Sequence, residues 1–243
     1  MTQYICHKAE TRGHDYSDWL DSKKTFSFAD YYNPKRMSFG ALRVLNDDVL
    51  TGGSGFGTHP HDNMEIVSIP LSGSLRHEDS LGNHNVVSVG SVQVISAGTG
   101  LFHSEYNGSP TQPAAFLQLW IYPDVLNTTP GYTAITLPRT FRENHLYPFI
   151  QPGNGAATVT IRQDTWMSMG FFDNASVTEY QMHKEDNGVY AFVIGGAFDI
   201  DGRVLQNRDG LGIYNGEGVT IRSLSDQAGL LLIEVPMSLP FAV

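Results

Sequence analysis

GTHPHDNMEIVSI, Gly57 to Ile69, sets two histidines either side of a proline and then runs into an apolar stretch. Residues two apart on an extended chain face the same side, so His59 and His61 address one point in space; on a helix they would diverge. Pro60 holds His59 extended and cannot donate to a strand ladder, which suits the mouth or edge of a sheet. Glycines 52, 53, 55 and 57 precede the pair. No Gly-Lys-Ser/Thr ending follows them, and no helix to supply a dipole, so the segment is not a phosphate loop.

The spacing returns in SAGTGLFHSEYN, where His103 and Glu105 stand two apart after a glycine-rich turn. If the two segments meet inside a barrel, three neutral imidazoles and one carboxylate converge on one ion and leave coordination positions open. Two other carboxylates compete for the fourth place. Glu65 shares the parity of His59 and His61, but four residues of straight strand span ~13 Å at ~3.3 Å each, so it reaches the ion only if the chain bends. Asp62 has the opposite parity and is expected to face out. His77 and His84 flank a turn, and His7, His14, His145 and His183 lack a partner at chelating spacing; all six read as surface or hydrogen-bonded histidines.

Around these segments the chain is built of short runs rich in Val, Ile, Phe and Tyr, among them VVSVGSVQVIS, AAFLQLWIYP, VYAFVIGGAFDI and GLLLIEVP. The 25 glycines and 12 prolines punctuate them throughout, and the Asp-Gly and Asn-Gly pairs at 201, 209 and 215 suit tight hairpins. No segment holds a sustained 3.6-residue period; the best helix candidates are a turn or two at 16–20 and 28–32. The expectation is an all-β chain. Two β-rich halves of similar strand-and-turn rhythm flank a quieter, proline-bearing segment from 124 to about 155, expected to wrap the surface. A duplicated barrel accounts for this, divided as 1–134, with the metal site, and 135–243, without one.

With 15 Lys+Arg against 25 Asp+Glu, the formal charge is -10, which repels phosphate backbones; no direct nucleic-acid binding is expected. Cys6 is the single cysteine, so no internal disulfide forms and a reducing compartment is expected. The N-terminal residues lack a signal-peptide core and no apolar run approaches ~18 residues, giving the expectation of a soluble, cytoplasmic protein without a membrane span.

At these residues the sequence resembles a cupin, and more closely the pirin family. Gly53, His59, His61 and Glu65 fit the general first cupin motif; Gly90, Gly98, His103 and Asn107 approximate the second. The pirin character lies in GTHPHDNMEIVSIPLSGSLRHEDSLGNH, in SAGTGLFHSEYN, and upstream in FSFADYYNPKRMSFGALRVLNDD. The likeness is dense from Phe26 to Pro123 and thins to architecture beyond.

It implies a bicupin, two double-stranded β-helix barrels in one chain, with one divalent transition metal held by His59, His61, His103 and Glu105 and with Glu65 outside the ligand set. Fe(II) is the expected ion, and Mn, Co, Ni, Cu and Zn suit the same ligands. The implied activity is a quercetin 2,3-dioxygenase-like cleavage of flavonols, small planar phenolic substrates, with O2 and release of carbon monoxide. In that reading Glu105 is also the catalytic proton acceptor, and Phe56, Phe102 and Tyr106 line the mouth. The alternative the resemblance carries is a non-catalytic iron-binding redox sensor that binds a protein partner. A closed structural zinc site is disfavoured, because such sites favour cysteines.

Overall fold

A computed structural model describes residues 1–138, 144–153 and 159–240. Among them there is no α-helix, only a three-residue 3-10 turn at Ala9–Thr11, and so no helix long and apolar enough to cross a membrane. Both helix candidates are loop. Tyr16 ends one strand and Leu20 begins the next, closed by Ser17 N–H donating to the Leu20 carbonyl, while Phe28 and Tyr31 form an isolated bridge.

Strands β1 (Gln3–His7), β2 (Gly13–Tyr16), β3 (Leu20–Lys24) and β4 (Leu42–Leu50) open the chain. β5 (Gly55–His61), β6 (Glu65–Ser72), β7 (Ser74–Asp79) and β8 (His84–Ser88) follow. β9 (Ser91–Ser96), β10 (Leu101–Asn107), β11 (Ala114–Ile121) and β12 (Gly131–Thr136) complete the first group. Beyond them lie β13 (Tyr147–Ile150), β14 (Trp166–Phe172), β15 (Val177–Gln181), β16 (Asn187–Gly195) and β17 (Phe198–Ile200). The last are β18 (Arg203–Leu205), β19 (Gly210–Tyr214), β20 (Gly218–Ser223) and β21 (Ala228–Pro236).

Each barrel is one large sheet facing one small one. The first pairs a seven-stranded sheet, β12-β9-β6-β11-β4-β3-β2, with the four-stranded β5-β10-β7-β8; the second pairs β1-β19-β16-β21-β14-β13 with β15-β20-β17-β18. Strand alternation gives each large sheet two different faces. On the outer face of the seven-stranded sheet Leu45, Val67, Val94, Leu117 and Leu119 pack with Met167, Met169, Phe192, Leu231 and Ile233 of the six-stranded sheet, joining the halves through a shared core. Each such side chain, fully buried, contributes about 1.5–3 kcal/mol.

The inner faces differ. In the second barrel Val189, Ala191, Val193, Leu230 and Leu232 meet Phe198, Ile200, Val219 and Ile221, so the interior is apolar. In the first, register places Lys24 opposite Asn46, Asn46 opposite Gln118, Gln118 opposite Ser68 and Ser68 opposite Gln93. Directly paired residues share a face, so five adjacent strands carry one continuous polar row across the barrel wall. Small apolar clusters close it off on either side: Leu50, Leu75 and Phe116, and Ile66, Ile95 and Leu101.

Two elements reach across the division expected after residue 134. β1 adds to the edge of the second barrel by pairing with β19, and β12 runs through that point while pairing with β9. Arg208 adds an ion pair between the halves, its Nε 2.9 Å from Asp47 Oδ2. The segment expected to wrap the surface from 124 to about 155 instead contributes β12 and β13, each forming the edge strand of a large sheet, β13 with Pro148 in it; residues 139–143 and 154–158 of that stretch lie outside the described residues.

Candidate metal centre

β5 and β10 are antiparallel neighbours, with His59 opposite His103 and His61 opposite Leu101. Between the pairs His59/His103 and Phe56/Glu105 the register shifts, so that β5 uses three steps where β10 uses two. Such a bulge re-aims the side chains of the strand that carries it, here β5; Glu105, two residues from His103 on β10, shares the face of His103 by alternation. Gly55 permits the close approach: a Cβ there would stand 2.4 Å from the Glu105 carbonyl oxygen. Gly98, in the turn before β10, holds φ +48° and would place a Cβ 2.1 Å from the Thr128 carbonyl.

His59, His61 and His103 each offer a ring nitrogen, and all lie within 4.8 Å of one another. His59 Nδ1 sits 2.7 Å from the Gly57 carbonyl, which can only accept; the proton is therefore on Nδ1 and Nε2 carries a free lone pair. That Nε2 is 3.0 Å from Nε2 of His103. Two imidazoles bound at right angles to one ion, at about 2.1 Å each, place their nitrogens about 3 Å apart, so the spacing fits a shared metal. Burial, then the neighbouring imidazoles, pushes His103 down to about 3, and burial and His59 push His61 down to about 4. Both are neutral at ordinary pH, as ligands must be.

Glu105 is 1% exposed. Its carboxylate accepts from Ser68 Oγ at 3.1 Å, from Gln118 Nε2 at 2.6 Å and from Gln93 Nε2, three members of the polar row. Burial raises its pKa against these bonds. It belongs to a second, overlapping group of potential ligands with His77 and His103. Three of the four expected ligands thus form one tight set, and the fourth joins it through His103.

His77 is the hydrogen-bonded kind of the two expected, and it is buried. It stacks on Tyr132 with ring centroids 4.4 Å apart, and its Nε2 lies 2.9 Å from Asp79 Oδ2. Burial alone would raise Asp79, but hydrogen bonds from His77 and Asn83 hold it below its ordinary value. The signal was present in the sequence: Leu75, His77 and Asp79 alternate onto one face of β7.

Glu65 lies on the wrong face. Asn63, with φ 46°, breaks the extended run between β5 and β6 and resets the parity. Ser68, which bonds Glu105, faces in; Glu65, three residues earlier, therefore faces out, where its Oε2 accepts from Ser96 Oγ at 2.6 Å. Asp62 is exposed, as expected.

A cavity of ≈ 310 Å³ opens beside the histidines, lined by Phe28, Phe56, His59, His61, Glu105 and Trp120 among others. Trp120 sets its ring edge-on to both His61, 4.8 Å away, and Phe28, 5.1 Å away. Of the three aromatics expected at the mouth, Phe56 is there; Phe102 is 55% exposed. Tyr106 lies beneath Arg76 instead. Larger depressions of ≈ 750 and ≈ 700 Å³ lie on the second half, lined by no histidine. Both groups of potential ligands among the described residues are in the first barrel.

Residues 6–121 match the Pirin family model, and residues 150–235 match the model for the quercetinase C-terminal cupin domain. The quercetin 2,3-dioxygenase of Escherichia coli K12 is 38% identical over 229 residues, covering 94% of this chain and 97% of that protein. The chain belongs to the pirin family. A pirin-like protein of Caulobacter vibrioides is 36% identical over 220 residues, covering 89% of this chain and 92% of that protein. Among solved structures, the E. coli pirin YhhW in complex with nickel(II) superposes with a TM-score of 0.91 at 37% identity, covering 96% of this chain and 99% of that one.

This pirin is therefore an all-β protein with two cupin domains. Its polar row was not anticipated from sequence. Ser68, Gln93 and Gln118 are unremarkable in isolation, and only strand register brings them round Glu105.

Proposed function

We propose that this pirin is a metal-dependent dioxygenase of the quercetin 2,3-dioxygenase type, cleaving flavonols with O2 and releasing carbon monoxide. One observation carries the reading: three histidine nitrogens converge within 4.8 Å, and two of the histidines, His59 and His61, line a cavity that Phe28, Phe56 and Trp120 also line. His59, His61, His103 and Glu105 are the ligands of this proposal, and Fe(II) its expected ion. When bound, the ion supplies Lewis acidity that lowers the pKa of a flavonol 3-hydroxyl and polarises the adjacent carbonyl.

The chain's own residues do the rest. Glu105, raised in pKa by burial and fixed by Ser68, Gln93 and Gln118, takes the hydroxyl proton. Phe28, Phe56 and Trp120 offer flat apolar surface to a planar ring and keep water from it. A division at residue 134 into a metal-bearing and a metal-free barrel, and a cytoplasmic setting consistent with the lone Cys6, belong to the same proposal.

The test is anaerobic loading with Fe(II), then quercetin and air, following flavonol absorbance and carbon monoxide. Loaded Glu105→Gln should keep metal yet lose turnover by ~10² or more. Turnover near wild type in the loaded variant removes Glu105 as the base. No turnover by wild type with any metal transfers the reading to the iron-bound regulator.

A further inference from the structure

The cavity beside the histidines contains polar atoms that neither the metal nor Glu105 uses. Asn46 and Asp48, each 2% exposed, both line it, and Asn46 Oδ1 and Asp48 Oδ1 have no hydrogen-bond partner within the protein. Trp120, also a lining residue, has a buried Nε1 without a hydrogen-bond partner. Leaving a buried donor or acceptor unmatched costs about 1–3 kcal/mol each, more for a charged group. Three such atoms on residues lining one cavity are a cost without structural return, and their chemistry is complementary to a ligand: two acceptors call for O–H donors, and one N–H calls for an oxygen.

Register orders them along the cavity. Trp120 is paired with Val44, Gln118 with Asn46, and Phe116 with Asp48. The chain from Val44 to Asp48 therefore leads from the His61–Trp120 end, past Glu105, to the Phe56–Phe116 end, about 13 Å at ~3.3 Å per residue. A single phenolic ring is too short to touch both ends. A planar molecule of several fused or linked rings reaches from one to the other.

We propose that Asn46 and Asp48, with Trp120, form a hydroxyl-recognition subsite that selects polyhydroxylated, multi-ring phenols over analogues lacking hydroxyls remote from the metal. The inference rests on the dioxygenase reading and adds which substrates that reaction favours. Burial pushes the Asp48 carboxyl up to about 7, with a Ser22 hydrogen bond only partly opposing it. A hydroxyl donor in the cavity supplies the partner that the protein withholds. Asp48 is thus a specificity-determining residue; it is not asked to move a proton in the reaction.

The experiment compares quercetin with 3-hydroxyflavone, which keeps the 3-hydroxyl and 4-carbonyl but has no other hydroxyl. Binding is read anaerobically by titration into nickel-loaded protein, and kcat/KM is read in air with the Fe(II) form. Wild type should favour quercetin by about tenfold in both readouts, the worth of one good hydrogen bond. Asp48→Leu should bring the ratio towards one, chiefly through affinity. Asn46→Leu gives a second, independent removal should Asp48→Leu fold poorly.

Equal binding of the two flavonols by wild type, or an unchanged ratio in both variants, overturns the subsite while leaving the dioxygenase reading intact. Failure of wild type to bind or turn over either flavonol overturns both.

Discussion

Glu65→Gln separates the general cupin pattern from what this fold does with it. The Glu65 carboxyl is raised from an ordinary value of 4.5 to about 7, chiefly by burial, against hydrogen bonds from Ser96 and the Arg162 backbone. Between those values the native chain keeps a proton that the unfolded chain releases, so stability falls as pH rises from 4.5 to 7 and the cost is complete above that. At ~1.4 kcal/mol per pKa unit, ionised Glu65 costs the fold about 3 kcal/mol. Glutamine resembles the protonated acid and carries no charge. In urea titrations of metal-free protein, Glu65→Gln should gain about 3 kcal/mol at pH 8 and less than about 1 kcal/mol at pH 5. Its metal content on reloading should equal that of wild type, because the side chain lies on the sheet face away from the histidines. A gain of equal size at both pH values refutes the argument from burial. Loss of metal refutes the placement of the side chain.

Because His61 and His103 are held down to about 4 and about 3, protons compete poorly with the ion; metal measured after dialysis should persist through the ordinary histidine range and leave as pH falls towards those values. Trp120 stands 4.8 Å from His61, so loading with Ni(II) or Cu(II) should quench tryptophan fluorescence, and Trp120→Phe should remove most of that response although Trp19 and Trp166 remain. Leu231, fully buried in the core between the two large sheets, should cost about 2–5 kcal/mol on replacement by alanine, read by denaturant titration. Its distance from the first barrel's interior should leave metal content unchanged.

The histidine constellation was legible because it is local: two-residue spacing on a strand is a statement about one face, and it needs no partner to be read. All-β architecture was legible for the same reason, through short apolar runs cut by glycine and proline. Glu65 was half read. Its distance argued against ligation, but its parity was carried through Asn63 as if the strand were unbroken, and a single left-handed residue reverses that inference. Gln93, Gln118 and Asp48 take their places only through register with strands distant in sequence, and register is decided by pairing partners that spacing does not name. The stretch after 124 was misjudged through its prolines, which sheet edges accept.

β1 bears on the order in which the molecule can be completed. Gln3 pairs with Tyr214 and His7 with Gly210, a closure of about two hundred residues, whereas β2 and β3 turn back at once to the other barrel. During synthesis β1 has no partner until β19 has been made. Until it docks, β19 keeps an open edge of unpaired amides and carbonyls, the kind of surface on which chains recruit one another. Docking of this one five-residue strand covers the β19 edge with β1, which becomes the outermost strand of the six-stranded sheet, and straps the barrels together, so the two halves are tied only once nearly the whole chain has been made.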